Sequence, residues 1–182
     1  MKTFVAYYSV KGNNAYLANK VAEGLQCDIE PIRPRLDAFF FFLLKLSLGI
    51  RPMKLRPDAY DRVILCGPVF VGKLIPPLKD FILRYKNRVD NWVFISCCGS
   101  GFEQRDEKFG HGHVFKKVQE LLGEKCTHCE AFPISLVVAE EKMKDPDTVM
   151  KTRLTDQNMK GEMQSRVASF IQMMENHTKK QE

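Results

Sequence analysis

The chain has 182 residues, of which 45% are hydrophobic and 27% charged, with a formal net charge of +6. That length suits one domain with a substantial core, and that apolar fraction excludes an intrinsically disordered chain. The positive balance suits an anionic ligand or an acidic partner. No DNA- or RNA-binding motif accompanies it, so nucleic acid is not an expected partner.

Met1-Lys2-Thr3 leads straight into an apolar stretch without the charged leader, apolar core and small-residue cleavage site of a signal peptide. A cytoplasmic protein is expected, and its six cysteines read as reduced thiols, not as a disulfide framework. Asn176-His177-Thr178 has the form of a glycosylation sequon, which in that compartment is a chance match.

Thr3 to Tyr8 is a β-type apolar run that empties into Ser9-Val10-Lys11-Gly12-Asn13-Asn14. A helix following such a loop presents unpaired backbone N–H groups, which favour an anion. With one glycine the loop fits neither the nucleotide-hydrolase P-loop nor the three-glycine dinucleotide fingerprint. A phosphate-binding loop is the leading reading; an ordinary strand-helix turn capped by Asn13 or Asn14 is the plain alternative.

Leu17, Ala18, Val21, Ala22 and Leu25 recur at helical spacing and predict a helix ending near Gly24 to Gln26. Cys27 to Ile32 alternates in polarity, and Pro31 suits it to a sheet edge. Ala38 to Ile50 is the most apolar run, thirteen residues with Lys45 inside. A membrane span needs about 20 apolar residues. The run is therefore expected to be a core helix with one face used in a homodimer, with a membrane-surface role as the alternative. Arg51 to Pro57 is a basic connector.

Arg62 to Gly67 is continuously apolar, as a central parallel strand buried on both faces should be. It runs into Pro68-Val69-Phe70-Val71-Gly72-Lys73-Leu74-Ile75-Pro76-Pro77-Leu78, where the paired prolines mark a helix start. Asn91 to Cys97 predicts a fourth strand, ending in the loop Cys98-Gly99-Ser100-Gly101-Phe102. Val114 to Leu122 predicts a helix stopped by Gly123, with His111 and His113 at its start. Phe132 to Val138 reads as the last strand and Ala139 to Thr155 as a charged loop with a partial helical turn. Met163 to Met174 reads as the last helix, before a solvated tail in residues 177–182. Strands alternating with helices make a doubly wound α/β domain over residues 1–176.

Two stretches resemble the flavodoxin family. Ser9, Gly12 and Asn13 match its S/T-x-T-G-N-T loop, with Lys11 and Asn14 standing where that loop has threonines. Tyr60 to Phe81 is similar to the segment in which a strand ends in Gly-x-Pro-Val-aromatic, then Gly-Lys and paired prolines. The resemblance implies a three-layer sandwich around a five-stranded parallel sheet in the order 2-1-3-4-5. It also implies FMN as cofactor, its phosphate over Ser9, Val10, Lys11, Gly12, Asn13 and Asn14. The flavin ring is implied between the loop Pro68, Val69, Phe70, Val71, Gly72, Lys73 and the loop Cys97, Cys98, Gly99. Phe70 and Phe102 are its candidate flanking aromatics, with packing roles as their plain alternative, and Lys73 is the charge that would raise its potential. In an open parallel sheet all three loops lie at the carboxyl edge, where ligands bind.

The implied function is FMN-dependent electron transfer with a redox partner protein or a small-molecule acceptor. A nicotinamide-dependent quinone or flavin reductase is the alternative within the family. A flavin-free interaction module using the 38–50 segment is the alternative outside it. Cys97 and Cys98 read as packing residues rather than redox thiols. Cys126-Thr127-His128-Cys129 has C-x-x-C spacing but precedes the predicted strand, not a helix, so metal or disulfide chemistry is not expected there.

Overall fold

The computed structural model describes residues 1–36, 49–139, 141 and 145–179. Most of the apolar run Ala38 to Ile50 lies outside the described residues, and with it the expected core helix and dimer face. Ile50 itself is buried and bridges to Pro34.

The elements in chain order are β1 (Thr3–Tyr7), α1 (Asn13–Leu25), β2 (Asp28–Pro31), β3 (Arg62–Cys66) and the short strands β4 (Val69–Phe70) and β5 (Lys73–Leu74). They continue with α2 (Pro76–Tyr85), β6 (Trp92–Cys98), α3 (His111–Leu122), β7 (Cys126–Pro133), α4 (Pro146–Lys151) and α5 (Gly161–Lys179). The main sheet has five parallel strands in the order β2-β1-β3-β6-β7. Leaving aside the antiparallel β4–β5 hairpin, that is the expected 2-1-3-4-5 order.

Alternation along the strands explains the layers. Phe4, Val63, Leu65, Trp92 and Phe94 pack on one face with Leu78, Phe81 and Ile82 of α2 and Val114, Phe115 and Val118 of α3. Val5, Ile64, Val93, Ile95 and Phe132 face the other way, onto Leu17, Ala18 and Val21 of α1 and Met163, Val167 and Phe170 of α5. Each fully buried side chain of this size contributes about 1.5–3 kcal/mol of transfer free energy. Continuous apolar strands are the consequence of burial on both faces.

The edges look different. On β2, Pro31 takes a ladder position opposite Tyr7, which only an edge strand tolerates. The Glu30 carboxylate accepts the Lys54 and Leu55 amides, each at 2.8 Å, tying down the basic connector. The other edge corrects the sequence reading: the last strand is Cys126–Pro133, and Ile134–Val137 is a 3-10 turn. Residues 177–179, expected in a tail, belong to the last turn of α5.

Candidate functional site

One cleft opens at the carboxyl edge of the sheet, and its walls come from four places in the chain. The floor is the β1–α1 loop, with Tyr8, Ser9, Val10 and Lys11 followed by Asn13 and Asn14. Pro68, Val69 and Phe70 line one side together with Ile75, Pro76 and Pro77; Cys97, Cys98 and Gly99 line the other. Ile134, Val149, Met150 and Arg153 complete it. Among the described residues the only charged lining groups are Lys11 and Arg153, and no carboxylate lines the cleft.

The floor is built around the start of α1. Gly12 is the N-cap, with φ at +94°, where L side chains are strained. Its own N–H donates to the Ser9 hydroxyl at 3.1 Å. The first intrahelical bond runs from the Tyr16 amide to the Gly12 carbonyl at 2.9 Å. The amides of Asn13, Asn14 and Ala15 therefore have no acceptor within the helix, and the dipole adds partial positive charge at this end.

Neither Asn13 nor Asn14 caps the helix with its side chain. Asn14 is buried, and its amide group holds β6: Nδ2 donates to the Cys97 carbonyl at 3.0 Å and Oδ1 accepts the Cys97 amide at 2.8 Å. Asn13 does the same for the distant segment after α4, donating to the Thr152 carbonyl and accepting the Leu154 amide, both at 3.0 Å. That pair of bonds is what carries Arg153 to the α1 N-terminus. The Arg153 Nη1 meanwhile donates to the carbonyls of Met150 and Thr152, at 3.1 and 2.9 Å, closing the end of α4.

Eleven of the sixteen residues expected at the site line the cleft: Ser9, Val10, Lys11, Asn13, Asn14, Pro68, Val69, Phe70, Cys97, Cys98 and Gly99. Gly12, Val71, Gly72, Lys73 and Phe102 are not among its lining residues. Val71 and Gly72 form the tip of the β4–β5 hairpin, and a Cβ on Gly72 would sit 2.6 Å from the Lys108 carbonyl oxygen. Lys73 pairs with Phe70 across that hairpin. Phe102 lies under the Arg166 guanidinium of α5, 4.6 Å from the ring centroid, in a cation–π contact.

The thiols at the cleft are inert. Burial pushes Cys98 up to about 11 and Cys97 well above the ordinary thiol value, so both stay protonated at neutral pH. Behind Cys98, the Ser100 hydroxyl meets His111 Nδ1 at 3.0 Å, with the Cys98 sulfur 3.8 Å from the same nitrogen. His111 is buried, which lowers its pKa and keeps it neutral. The triplet anchors the loop after β6 to the first turn of α3.

Tyr8, Ile75, Pro76, Pro77 and Ile134 also line the cleft without having been expected there, and one whole wall, Val149, Met150 and Arg153, was missed in the sequence. Its one visible signal is Asp145-Pro146, a capping residue before a proline; Asp145 does accept the Asp147 and Thr148 amides at 3.1 and 3.2 Å. Nothing local says that this short helix faces a loop about 140 residues earlier.

The chain matches no protein-family model, and no curated protein matches it. Solved structures do match. A flavoprotein from Lactobacillus acidophilus NCFM, in complex with FMN, superposes with a TM-score of 0.57 at 15% identity, over 71% of this chain and 92% of that one. A candidate flavoprotein from Bacteroides eggerthii DSM 20697 gives 0.57 at 19% identity, over 83% and 99%. One from Bacteroides uniformis ATCC 8492 gives 0.53 at 19%, over 79% and 95%. At these identities the likeness is one of architecture, and together with the 2-1-3-4-5 sheet it establishes that the chain has the flavodoxin-like fold.

Proposed function

We propose that this chain binds FMN in the carboxyl-edge cleft and serves as an electron-transfer protein. The observation that carries the reading is the cleft's polarity: walls of apolar and proline side chains, with Lys11, Arg153 and the α1 N-terminus as its positive groups and, among the described residues, no carboxylate. Such a site fits a ligand that is anionic at one end and flat and apolar at the other. The fold is shared with an L. acidophilus flavoprotein whose structure is a complex with FMN.

The phosphate would be held by the amides at the start of α1, the Ser9 hydroxyl and the two cations. Tyr8, Val69, Phe70, Ile75 and Met150 supply apolar surface that orients a ring and excludes water from it. Asn13 and Asn14 act through the scaffold, fixing the relation of three walls to one another. FMN, when bound, supplies reversible uptake of electrons. No carboxylate or histidine lines the cleft among the described residues, so the chain brings no strong acid or base of its own, which suits a carrier. The partner is a redox protein, acidic given the net charge of +6, or a small-molecule acceptor. Free thiols at all six cysteines suit a cytoplasmic location.

The test is a visible absorption spectrum of freshly purified protein followed by titration of the flavin-free protein with FMN, read by flavin fluorescence. Saturable binding is expected, weakened about tenfold, or about 1.4 kcal/mol, by Lys11→Glu or by Arg153→Glu. A colourless protein that leaves FMN fluorescence unchanged overturns the reading. Rapid oxidation of a nicotinamide by the loaded protein would assign it as a reductase instead of a carrier.

A further inference from the structure

We propose that Cys126 and Cys129 form a thiol–disulfide exchange site for low-molecular-weight disulfides, placed on the edge strand β7 and separate from the cleft. The pair lies inside the strand, not before it. In a regular strand, residues three apart point to opposite faces and stand about 10 Å from one another. Here the ladder slips: Trp92 faces Cys126 and Val93 faces His128, so Thr127 is an extra residue. That bulge restores both cysteines to the same face, against the cluster beneath α2 and α3. Their sulfurs are 3.5 Å apart.

The bulge is held from outside. The exposed Thr127 hydroxyl lies 2.9 Å from the Asn91 side-chain oxygen and 3.2 Å from the Trp92 carbonyl. In the preceding turn, the Lys125 ammonium donates to the Lys86 carbonyl at 3.0 Å and pairs with Asp90 at 2.7 Å. A disulfide needs the sulfurs at about 2.05 Å, so they must close by roughly 1.5 Å, within reach of side-chain rotation. Both cysteines are half-buried, whereas Cys66, Cys97 and Cys98 are buried. Metal binding is the lesser use of the pair, since among the described residues no third ligand joins it.

The two sulfurs have different jobs. Cys126 is the first residue of β7, next to the turn, whereas Cys129 sits inside the ladder opposite Phe94, so Cys126 is the attacking sulfur. Either thiol can donate across the 3.5 Å contact, and sharing that proton favours the Cys126 thiolate, lowering its pKa and raising that of Cys129. The Cys126 thiolate attacks one sulfur of a low-molecular-weight disulfide such as oxidised glutathione; the S–S bond breaks and one thiol leaves with a proton. Cys129 then loses its proton and attacks the Cys126 sulfur, expelling the second thiol. Two protein thiols are oxidised to one disulfide while one small disulfide is reduced to two thiols.

The site sits at the amino end of the sheet, where Cys126 faces Trp92; the cleft lies at the other end, where Cys98 faces Pro133. Its test is therefore independent of flavin. Reduced protein is equilibrated in buffers of rising oxidised-to-reduced glutathione ratio, alkylated, digested with trypsin and weighed. Cleavage after Lys125 and Lys142 places both cysteines in one peptide. That peptide is expected to lose both alkyl groups together while the other cysteines stay alkylated. Cys129→Ser should instead accumulate a glutathione adduct at Cys126, and Cys126→Ser should leave Cys129 alkylated at the same ratio. Double alkylation of the wild-type peptide across the whole range overturns the proposal. So does a stable glutathione adduct in the wild type, which needs no variant to fold.

Discussion

Asn14 shows how one side chain can serve a site without being a ligand. Its carboxamide satisfies both backbone groups of Cys97, and its own carbonyl lies 3.3 Å from the Cys66 sulfur. A threonine, the residue at this place in the flavodoxin loop, would have to make both bonds from one hydroxyl oxygen, whereas the carboxamide places donor and acceptor on separate atoms. Asn14→Ala leaves a buried N–H and a buried C=O unpaired, each costing about 1–3 kcal/mol. We expect a loss of about 2–4 kcal/mol, read as a lower urea midpoint with an unchanged m-value. Asn14→Asp keeps the acceptor but sets a buried negative charge against the Cys97 carbonyl, so its midpoint at neutral pH should also fall well below wild type. If Asn14→Ala unfolds with the wild-type midpoint, the residue is a ligand group and not a clamp.

At the scale of elements, the β4–β5 hairpin carries a strained turn near the cleft. Its two-residue tip needs positive φ at both positions, and Val71 and Gly72 stand at +52° and +65°. Glycine meets that demand freely; a β-branched valine does not, at a cost of about 1–2 kcal/mol. Val71→Asn should stabilise the protein by about 1 kcal/mol in urea unfolding, since asparagine tolerates this region; a destabilised variant would mean that the exposed valine packs on something the strain serves. This hairpin was invisible in the sequence because strands of two residues have no period to detect. β1, β3 and β6 were legible because burial on both faces demands unbroken apolar runs. The last strand was displaced for the converse reason: Phe132 to Val138 is apolar, but the true β7 begins with Cys126-Thr127-His128-Cys129-Glu130, half-exposed residues of an edge. α1, α2 and α3 followed from their apolar spacing and from Pro76, Pro77 and Gly123. The cleft was legible where its loops follow strands. Val149, Met150 and Arg153 were not, because the hydrogen bonds that bring them in from so far along the chain belong to Asn13.

Across the whole molecule, the cleft joins elements that the hydrogen-bond ladders leave apart. α1 is tied to β6 through Asn14 and to the α4–α5 connector through Asn13, while Asp156 in that connector receives the Tyr16 hydroxyl at 2.7 Å and Lys20 at 3.0 Å. A ligand touching the loops after β1, β3 and β6 and the end of α4 therefore binds only when all of them are assembled, and the unfolded chain has no equivalent site. Mass action then sets the size of the effect: at a ligand concentration about 100 times Kd, the folded state gains about 2.7 kcal/mol. For a domain of this length, each kcal/mol moves the thermal midpoint by about 2–4 °C. FMN should accordingly raise the Tm by about 5–10 °C, and inorganic phosphate, which reaches only the α1 end, by much less. At the same FMN concentration, Lys11→Glu weakens binding tenfold and should cut the gain by about 1.4 kcal/mol, or about 3–6 °C. An FMN shift no larger than that of phosphate would show that the apolar walls contribute nothing to binding, and would separate an anion site from a flavin site.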